Sequence, residues 1–542
     1  MSASTKKKLR SAERAEKLTQ KQLEEQKEAK KLKITTTVFV VAIALMLCFA
    51  IVITAVKTVE NSGIRERNTV ALTLNDHEIS NAEMNYYYID AINAFASQYG
   101  SYAALLGLDT TKPLNEQVLD ATTGLTWADD FFNSAVENAK GVYALNDAAN
   151  AAGFTLSEED QTNLEANLSS VELYAVYSYG YPDLETYLKT MYGHGASEES
   201  YRNYCTMNYL ADAFQASYAD TLTYEEADLR EAEAENYNAY TSYSYNYYYV
   251  NATNLVQKDE AGNYTDEQYA DAVKLAEEYA NTLISNVDSS EAFNAAIAAL
   301  PMNAEVENAA STSSTNVMHA NVFTTFKDWV VDASRKAGDM TVVANTSKTT
   351  DEAGNETTKI NGYYAVLFNE RNENNTAMAN VRHILSAFEG GTLDENGYKI
   401  YSDTEKNEAK AAAEVLLGKW KNGEATEESF AELANKESDD GDGTTGGLFE
   451  DVNPGSNYVT SFKNWALADH QPGDTEIIES EYGYHVMYYV GNSDMTYRDF
   501  MITNDLKNKD LSSWYTDLVD AVASTVQDIS YISTDLVLSS GQ

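Results

Sequence analysis

The sequence predicts a multidomain α+β protein with an N-terminal transmembrane helix, a mostly helical domain, two related α+β modules and a helical C-terminal tail. Three observations carry this. Ile34–Val56 is a run of 23 uncharged residues, amphipathic helical patterns then extend to about Tyr237, and a strand–helix order that begins at Tyr240 returns near residue 380. At 542 residues the chain is too long for a single core.

Residues 1–33 hold eleven Lys/Arg and five Glu, a net of +6, whereas the whole chain carries −46, so the remainder carries −52. So acidic a body repels a phosphate backbone, which excludes nucleic acid as a partner. As a helix, residues 34–56 would be about 34 Å long, enough to cross a hydrocarbon core. The basic arm 1–33 is then expected to stay in the cytoplasm. The expected localisation is the cell membrane, single-pass, with the acidic body extracytoplasmic, as on a bacterial cell surface. A cleavable signal peptide is disfavoured by the length of the basic region and the lack of a clear A-x-A site. Leu47 before Cys48 is not the small residue of lipoprotein processing. Cys205 is the remaining cysteine, so no intrachain disulfide staples the body.

In the helical domain (68–237), "NTVALTLNDHEISNAEMNYYYIDAINAF" starts as a strand through Val70, Leu72 and Leu74. It turns at Asn75–Asp76 and enters a helix at Ser80, where Ser80 and Glu83 have capping-box spacing. Further helical patterns follow in "WADDFFNSAVENAKGVYALNDAANAAG" and "SEESYRNYCTMNYLADAFQASYA". His77 and His194 read as loop or surface residues.

From Tyr240, "YTSYSYNYYYVNAT" reads as a strand followed by the amphipathic helix "DEQYADAVKLAEEYANTLISN". Near residue 380, "NVRHILSAF" is followed by "SDTEKNEAKAAAEVLLGKWKNG", in which Ala409, Ala412, Ala413, Leu416, Leu417 and Trp420 follow the spacing of one apolar face and Ser402 and Glu405 have capping-box spacing. "TTFKDWVVDASRKAGDMTVV" aligns with "TSFKNWALADHQPGDTEII", matching Phe326 to Phe462 and Trp329 to Trp465; "NGYYAVLFN" falls on "YGYHVMYYV". This is an internal duplication, with modules at 240–370 and 378–492 and a tail at 495–542.

The alternation of "YGYHVMYYV" puts His485, Met487 and Tyr489 on one face and Tyr484, Val486 and Tyr488 on the other. A buried imidazole needs hydrogen-bond partners. The first copy has Tyr364 at the place of His485, and Tyr247 or Tyr248 around that of His383. Histidines required only for folding would be needed in both copies, so their confinement to the second favours chemistry there.

Together, "VRHIL", "FAELANKESDD", the turn "GTTGG", "YVTSF" and "YGYHV" resemble a parvulin-type peptidyl-prolyl cis-trans isomerase over about residues 380–492. The layout as a whole is similar to exported foldases of the PrsA and SurA type. The resemblance implies paired His383 and His485 at the catalytic centre and Asp440 beside the substrate. Phe462 and Tyr458 would line the proline pocket, Tyr482 would sit at its rim and Leu448 would form a further wall. "GGLFEDV" departs here from the family's Gly-Asp-Leu-Gly. The resemblance further implies a first module without activity, and a helical domain and tail that pack together as a chaperone.

The expected function is thus a membrane-anchored isomerase and foldase acting on unfolded or newly exported polypeptides with X-Pro bonds, without cofactor or metal. The alternative is a non-catalytic holdase that uses the modules for peptide binding. Two His and an Asp are enough for a metal site, but the fold implied by the resemblance turns the imidazoles toward each other. No G-x-S-x-G turn supports a serine hydrolase, and "KESDDGDGTTGG" lacks the spacing of a calcium loop.

Overall fold

The computed structural model describes residues 61–538 apart from 286, 351–355, 395–396 and 442, together with residues 4, 6–8, 10, 11, 46 and 59. It divides into two compact units, 1–222 with 510–542, and 223–509.

In the first unit a short helical turn, Ile64–Asn68, leads into the hairpin β1 (Val70–Leu74) and β2 (His77–Ser80), whose turn is made by Asn75 at φ 48°. Five helices follow: α1 (Asn81–Tyr99), α2 (Trp127–Ala152), α3 (Glu158–Leu173), α4 (Leu184–Tyr192) and α5 (Glu198–Thr221). Ser80 caps α1 by accepting the Glu83 amide. The reciprocal half of the capping box is absent because the Glu83 carboxylate accepts the Tyr143 hydroxyl at 2.6 Å instead. Tyr86, Tyr87 and Tyr88 are all buried in the core of this unit.

Beyond the helix that ends at Asp520, the tail is extended where a helix was expected. Ser524–Val526 pairs antiparallel with β1, and the buried carboxamides of Asn81 and Asn85 hold the main chain at Asp528, Tyr531 and Ser533. A stretch rich in Ser, Thr and β-branched residues meets a free strand edge here, and sheet pairing prevails over helix.

The second unit contains α6 (Glu226–Glu235) and then two modules of the same strand plan. The first comprises β3 (Ser242–Asn251), α7 (Asp266–Leu283), α8 (Ser290–Ala298), β4 (Thr312–Met318), α9 (Lys327–Val331), β5 (Met340–Thr350) and β6 (Glu356–Asn372). The second comprises β7 (Ala377–Ala387), α10 (Asp403–Lys421), α11 (Glu427–Glu437), β8 (Leu448–Val452), α12 (Thr460–Ala466), β9 (Thr475–Glu479) and β10 (Gly483–Thr496). Their sheets are ordered β4-β3-β6-β5 and β8-β7-β10-β9, antiparallel throughout.

In the second module one sheet face packs on α10 and α11 through Ile384, Val486, Tyr488, Ala413 and Phe430. The other packs on α12 through Val381, Met487, Tyr489, Phe462 and Trp465. Ser402 and Glu405 form the full capping box that starts α10.

The membrane reading of the sequence is corrected. Among the described residues no helix is long and apolar enough to cross a membrane. Residues 34–56, apart from Met46, lie outside the described residues. An uncharged run satisfies a length condition, and that condition alone does not make a spanning helix. The fold class is therefore a mixed α+β multidomain chain with a parvulin-like domain, and the single-pass localisation that rested on the helix is withdrawn with it.

Candidate active site

The site is built on the two central strands of the second module. His383 on β7 lies opposite Met487, and His485 on β10 lies opposite Leu385, so the two imidazoles are diagonal neighbours on one face of an antiparallel pair. Both are buried, at 3% and 5% exposure. Their Nδ1 atoms are 2.9 Å apart. His383 Nε2 lies 3.0 Å from Asp440 Oδ2, and His485 Nε2 lies 2.7 Å from Ser480 Oγ.

Asp440 fixes one end of these contacts. The His383 hydrogen bond holds the Asp440 carboxyl below its usual range, so Asp440 is ionised and can only accept. His383 therefore donates from Nε2 to Asp440. The proton between the two Nδ1 atoms belongs to one ring or the other, and the Ser480 hydroxyl either donates to His485 Nε2 or accepts from it while donating to the Gly483 carbonyl at 3.4 Å. Ser480 Oγ in turn accepts the Tyr482 amide at 3.1 Å.

Burial pushes His485 down to about 4, the proximity of His383 adds to this, and Asp440 opposes it. At neutral pH His485 is uncharged, beside a carboxylate that is charged. The Nδ1 lone pair and proton face each other across 2.9 Å, a direct hydrogen bond that leaves no space for a metal between the rings. Among the described residues no group of three or more His, Cys, Asp or Glu is arranged to hold a metal ion.

Gly447 locks the strand that carries His383. The His383 amide donates to the Gly447 carbonyl at 2.9 Å, and a Cβ at Gly447, where φ is 65°, would meet the His383 carbonyl oxygen at 2.2 Å. Only glycine permits this approach.

Aromatic rings wall the imidazoles. Phe462 lies 5.4 Å from His383 and Phe449 4.9 Å from it, both edge to face. Tyr458, 39% exposed, closes the group at 5.5 Å from Phe462. Tyr482 stands 61% exposed beside Ser480.

Leu448 is not part of this wall. It pairs with Arg382, whose side chain lies on the sheet face away from the imidazoles, whereas Phe449 pairs with Val381 on the imidazole face. Phe449 is thus the ring that sequence reasoning missed, one residue along "GGLFEDV". Ser480 was missed as well, because only the turn Ser480–Gly483 folds it back onto His485.

Residues 364–491 match the family model of the PPIC-type PPIASE domain. The chain carries a PPIC-type peptidyl-prolyl isomerase domain. Among solved structures, PrsA from Bacillus anthracis aligns at 20% identity over 28% of this chain and 59% of its own, with a TM-score of 0.17. PrsA from Bacillus subtilis aligns at 11% identity over 76% of this chain and 93% of its own, with a TM-score of 0.26. The SurA-like chaperones PEB4 and Cj1289 of Campylobacter jejuni give 22% identity over 28% of this chain and 56% of that chain, with a TM-score of 0.15. This chain thus spans less than two thirds of the first of these, and scores this low carry no argument about its overall architecture. No curated protein matches.

Proposed function

We propose that this isomerase domain acts on X-Pro bonds of unfolded polypeptides, with His383, His485 and Asp440 as its polar centre. Phe462, Phe449 and Tyr458 form its proline pocket and Tyr482 its rim. The observation that carries the reading is the hydrogen-bonded chain Ser480–His485–His383–Asp440 set against an aromatic wall.

Rotation about X-Pro crosses a barrier of about 18–20 kcal/mol and neither makes nor breaks a covalent bond. The site needs only to grip the ring and favour the twisted, unconjugated amide. Phe462 and Phe449 supply the apolar grip. The two hydrogen-bonded imidazoles are held rigid, so they require no reorganisation as the amide twists. Covalent addition does not fit: Asp440 occupies the position of a nucleophile, and its ionised carboxylate is held accepting from His383 Nε2.

A holdase activity of the first unit is the second reading. Leu105 (83% exposed), Leu106, Tyr102 and Tyr177 (81% exposed) present apolar surface of the kind that captures unfolded chains.

The test is refolding of a proline-limited substrate by the full chain, beside a His383→Ala/His485→Ala variant shown to be folded. Acceleration by the parent and its loss in the variant support catalysis at this site. No acceleration by a parent that still suppresses client aggregation overturns it in favour of the holdase.

A further inference from the structure

The Asp440 carboxylate meets His383 without the support of a helix or strand. α11 ends at Glu437 and β8 begins at Leu448, so Asp440 belongs to neither. Its side chain is 47% exposed, and packing alone does not hold it 3.0 Å from His383 Nε2. Something in the main chain around it has to. β8 pairs with β7 at Ala379, Val381 and Arg382, and the Gly447 carbonyl takes the His383 amide. Past that point the β7 edge has no partner strand, and its open amides and carbonyls need other partners.

Ser438 and Asp439 supply them. Ser438 Oγ accepts the Leu385 amide at 3.0 Å, the Asp439 amide donates to the Leu385 carbonyl at 3.0 Å, and Asp439 Oδ2 accepts the Ala387 amide at 2.9 Å. The same Ser438 Oγ accepts the Asp440 amide at 3.2 Å. One hydroxyl oxygen thus ties the strand that carries His383 to the main chain of the residue whose carboxylate His383 binds. The far side of Asp440 is anchored separately. Arg382 Nη1 donates to the carbonyls of Thr445 at 3.2 Å and Gly446 at 3.0 Å, and Asn435 Oδ1 accepts the Gly446 amide at 2.6 Å. None of these contacts involves Ser438.

We propose that Ser438 is a positioning residue for the isomerase reaction, its hydroxyl oxygen fixing the Asp440 carboxylate on His383 Nε2. The proposal rests on the reading of His383, His485 and Asp440 as the polar centre. A charge fixed in place needs no reorganisation as the amide twists, whereas one on a loose segment has to be brought in each time. Ser438→Ala removes the acceptor of two amides and leaves the Arg382 anchor, so the module keeps its fold while the Asp440 carboxylate leaves His383 for solvent. Ser438→Thr retains the Oγ, and the extended backbone at Ser438, φ −76° and ψ 138°, admits a β-branched residue.

The test is a double-mutant cycle in the full chain, read by turnover of a prolyl tetrapeptide and by the Nε2–H resonance of His383 in protein with isotope-labelled histidine. Ser438→Ala is expected to lower kcat about tenfold with KM little changed, to broaden that resonance and to leave circular dichroism as in the parent. Ser438→Thr should return kcat to within about twofold and bring the resonance back. In an Asp440→Ala background, Ser438→Ala should change nothing further. Losses that add independently of Asp440, a Ser438→Thr variant as impaired as Ser438→Ala, an unaltered resonance, or a Ser438→Ala chain that no longer folds would each overturn the proposal. Full activity of Asp440→Ala would instead sink the reading of Asp440 as part of the centre, and the role of Ser438 with it.

Discussion

His485 makes local stability depend on pH in a way that can be measured. Its folded pKa is pushed down to about 4 from an ordinary 6.5. Between these values the unfolded strand binds a proton that the folded strand refuses, so stability is fully present above about pH 6.5 and is lost as pH falls toward 4. The interval of about 2.5 units corresponds to about 3 kcal/mol, a few hundred-fold in the opening constant. Asp440 contributes with its carboxyl pKa lowered, and that contribution is lost only below its unfolded 3.8, outside this window. The perturbation is His485→Asn, which removes the titrating ring, and the assay is hydrogen exchange of the β7 and β10 amides in the full chain from pH 6.5 to 4. After correction for intrinsic rates, the parent should open a few hundred-fold more readily at the acid end and the variant should show a much smaller change. Parallel slopes in parent and variant would refute the assignment of the titration to His485.

Four further outcomes are expected. Ser480→Ala strands His485 Nε2 and the Tyr482 amide, and should lower kcat/KM about tenfold in a tetrapeptide assay while the fold persists in circular dichroism. Phe449→Ala removes a ring that touches His383, Tyr458 and Phe462, and should cost about 3 kcal/mol in denaturant unfolding of the second module together with much of its activity. Gly447→Ala drives a Cβ into the His383 carbonyl and should cost about 3 kcal/mol or abolish activity outright, checked by the same two assays. The ionised and half-exposed Asp440 should make Lys-Pro peptides turn over several-fold faster than Glu-Pro peptides at low salt, a difference that collapses near 1 M salt, where the screening length is about 3 Å.

What was legible in the sequence was legible through periodicity. The alternation in residues 482–490 placed His485 on the face of Met487 and Tyr489, and that is the face on which it meets His383. The matched FK-x-W stretches were read as a duplication, and they lie in short helices at the same place in two sheets of one strand order. What failed depends on register and on neighbours. Leu448 and Phe449 differ by one residue, and only the pairing of β8 with β7 decides which ring faces the imidazoles. The tail after Asp520 has no strong period of its own, and its extended form comes from the edge of β1 and the carboxamides of Asn81 and Asn85, more than 400 residues away in sequence. Glu83 had the right spacing for a cap, and a tyrosine from α2 took its carboxylate.

The duplication also bears on why the histidines are there. Both modules close the same sheet against a short helix with a Phe and a Trp, and the first does so with Tyr247 and Tyr364 in a cluster of aromatic rings and valines. The second puts two imidazoles in that place, one of them forced to stay neutral by burial, and thereby becomes acid-labile. It also requires Ser480 and Asp440 in fixed positions to satisfy ring nitrogens that the first module does not have, and Gly447 to accept the His383 main-chain amide. An arrangement that weakens the fold and constrains five residues, where an aromatic pair serves the same packing, is not accounted for by the needs of the sheet, and the proposed work of the site accounts for it.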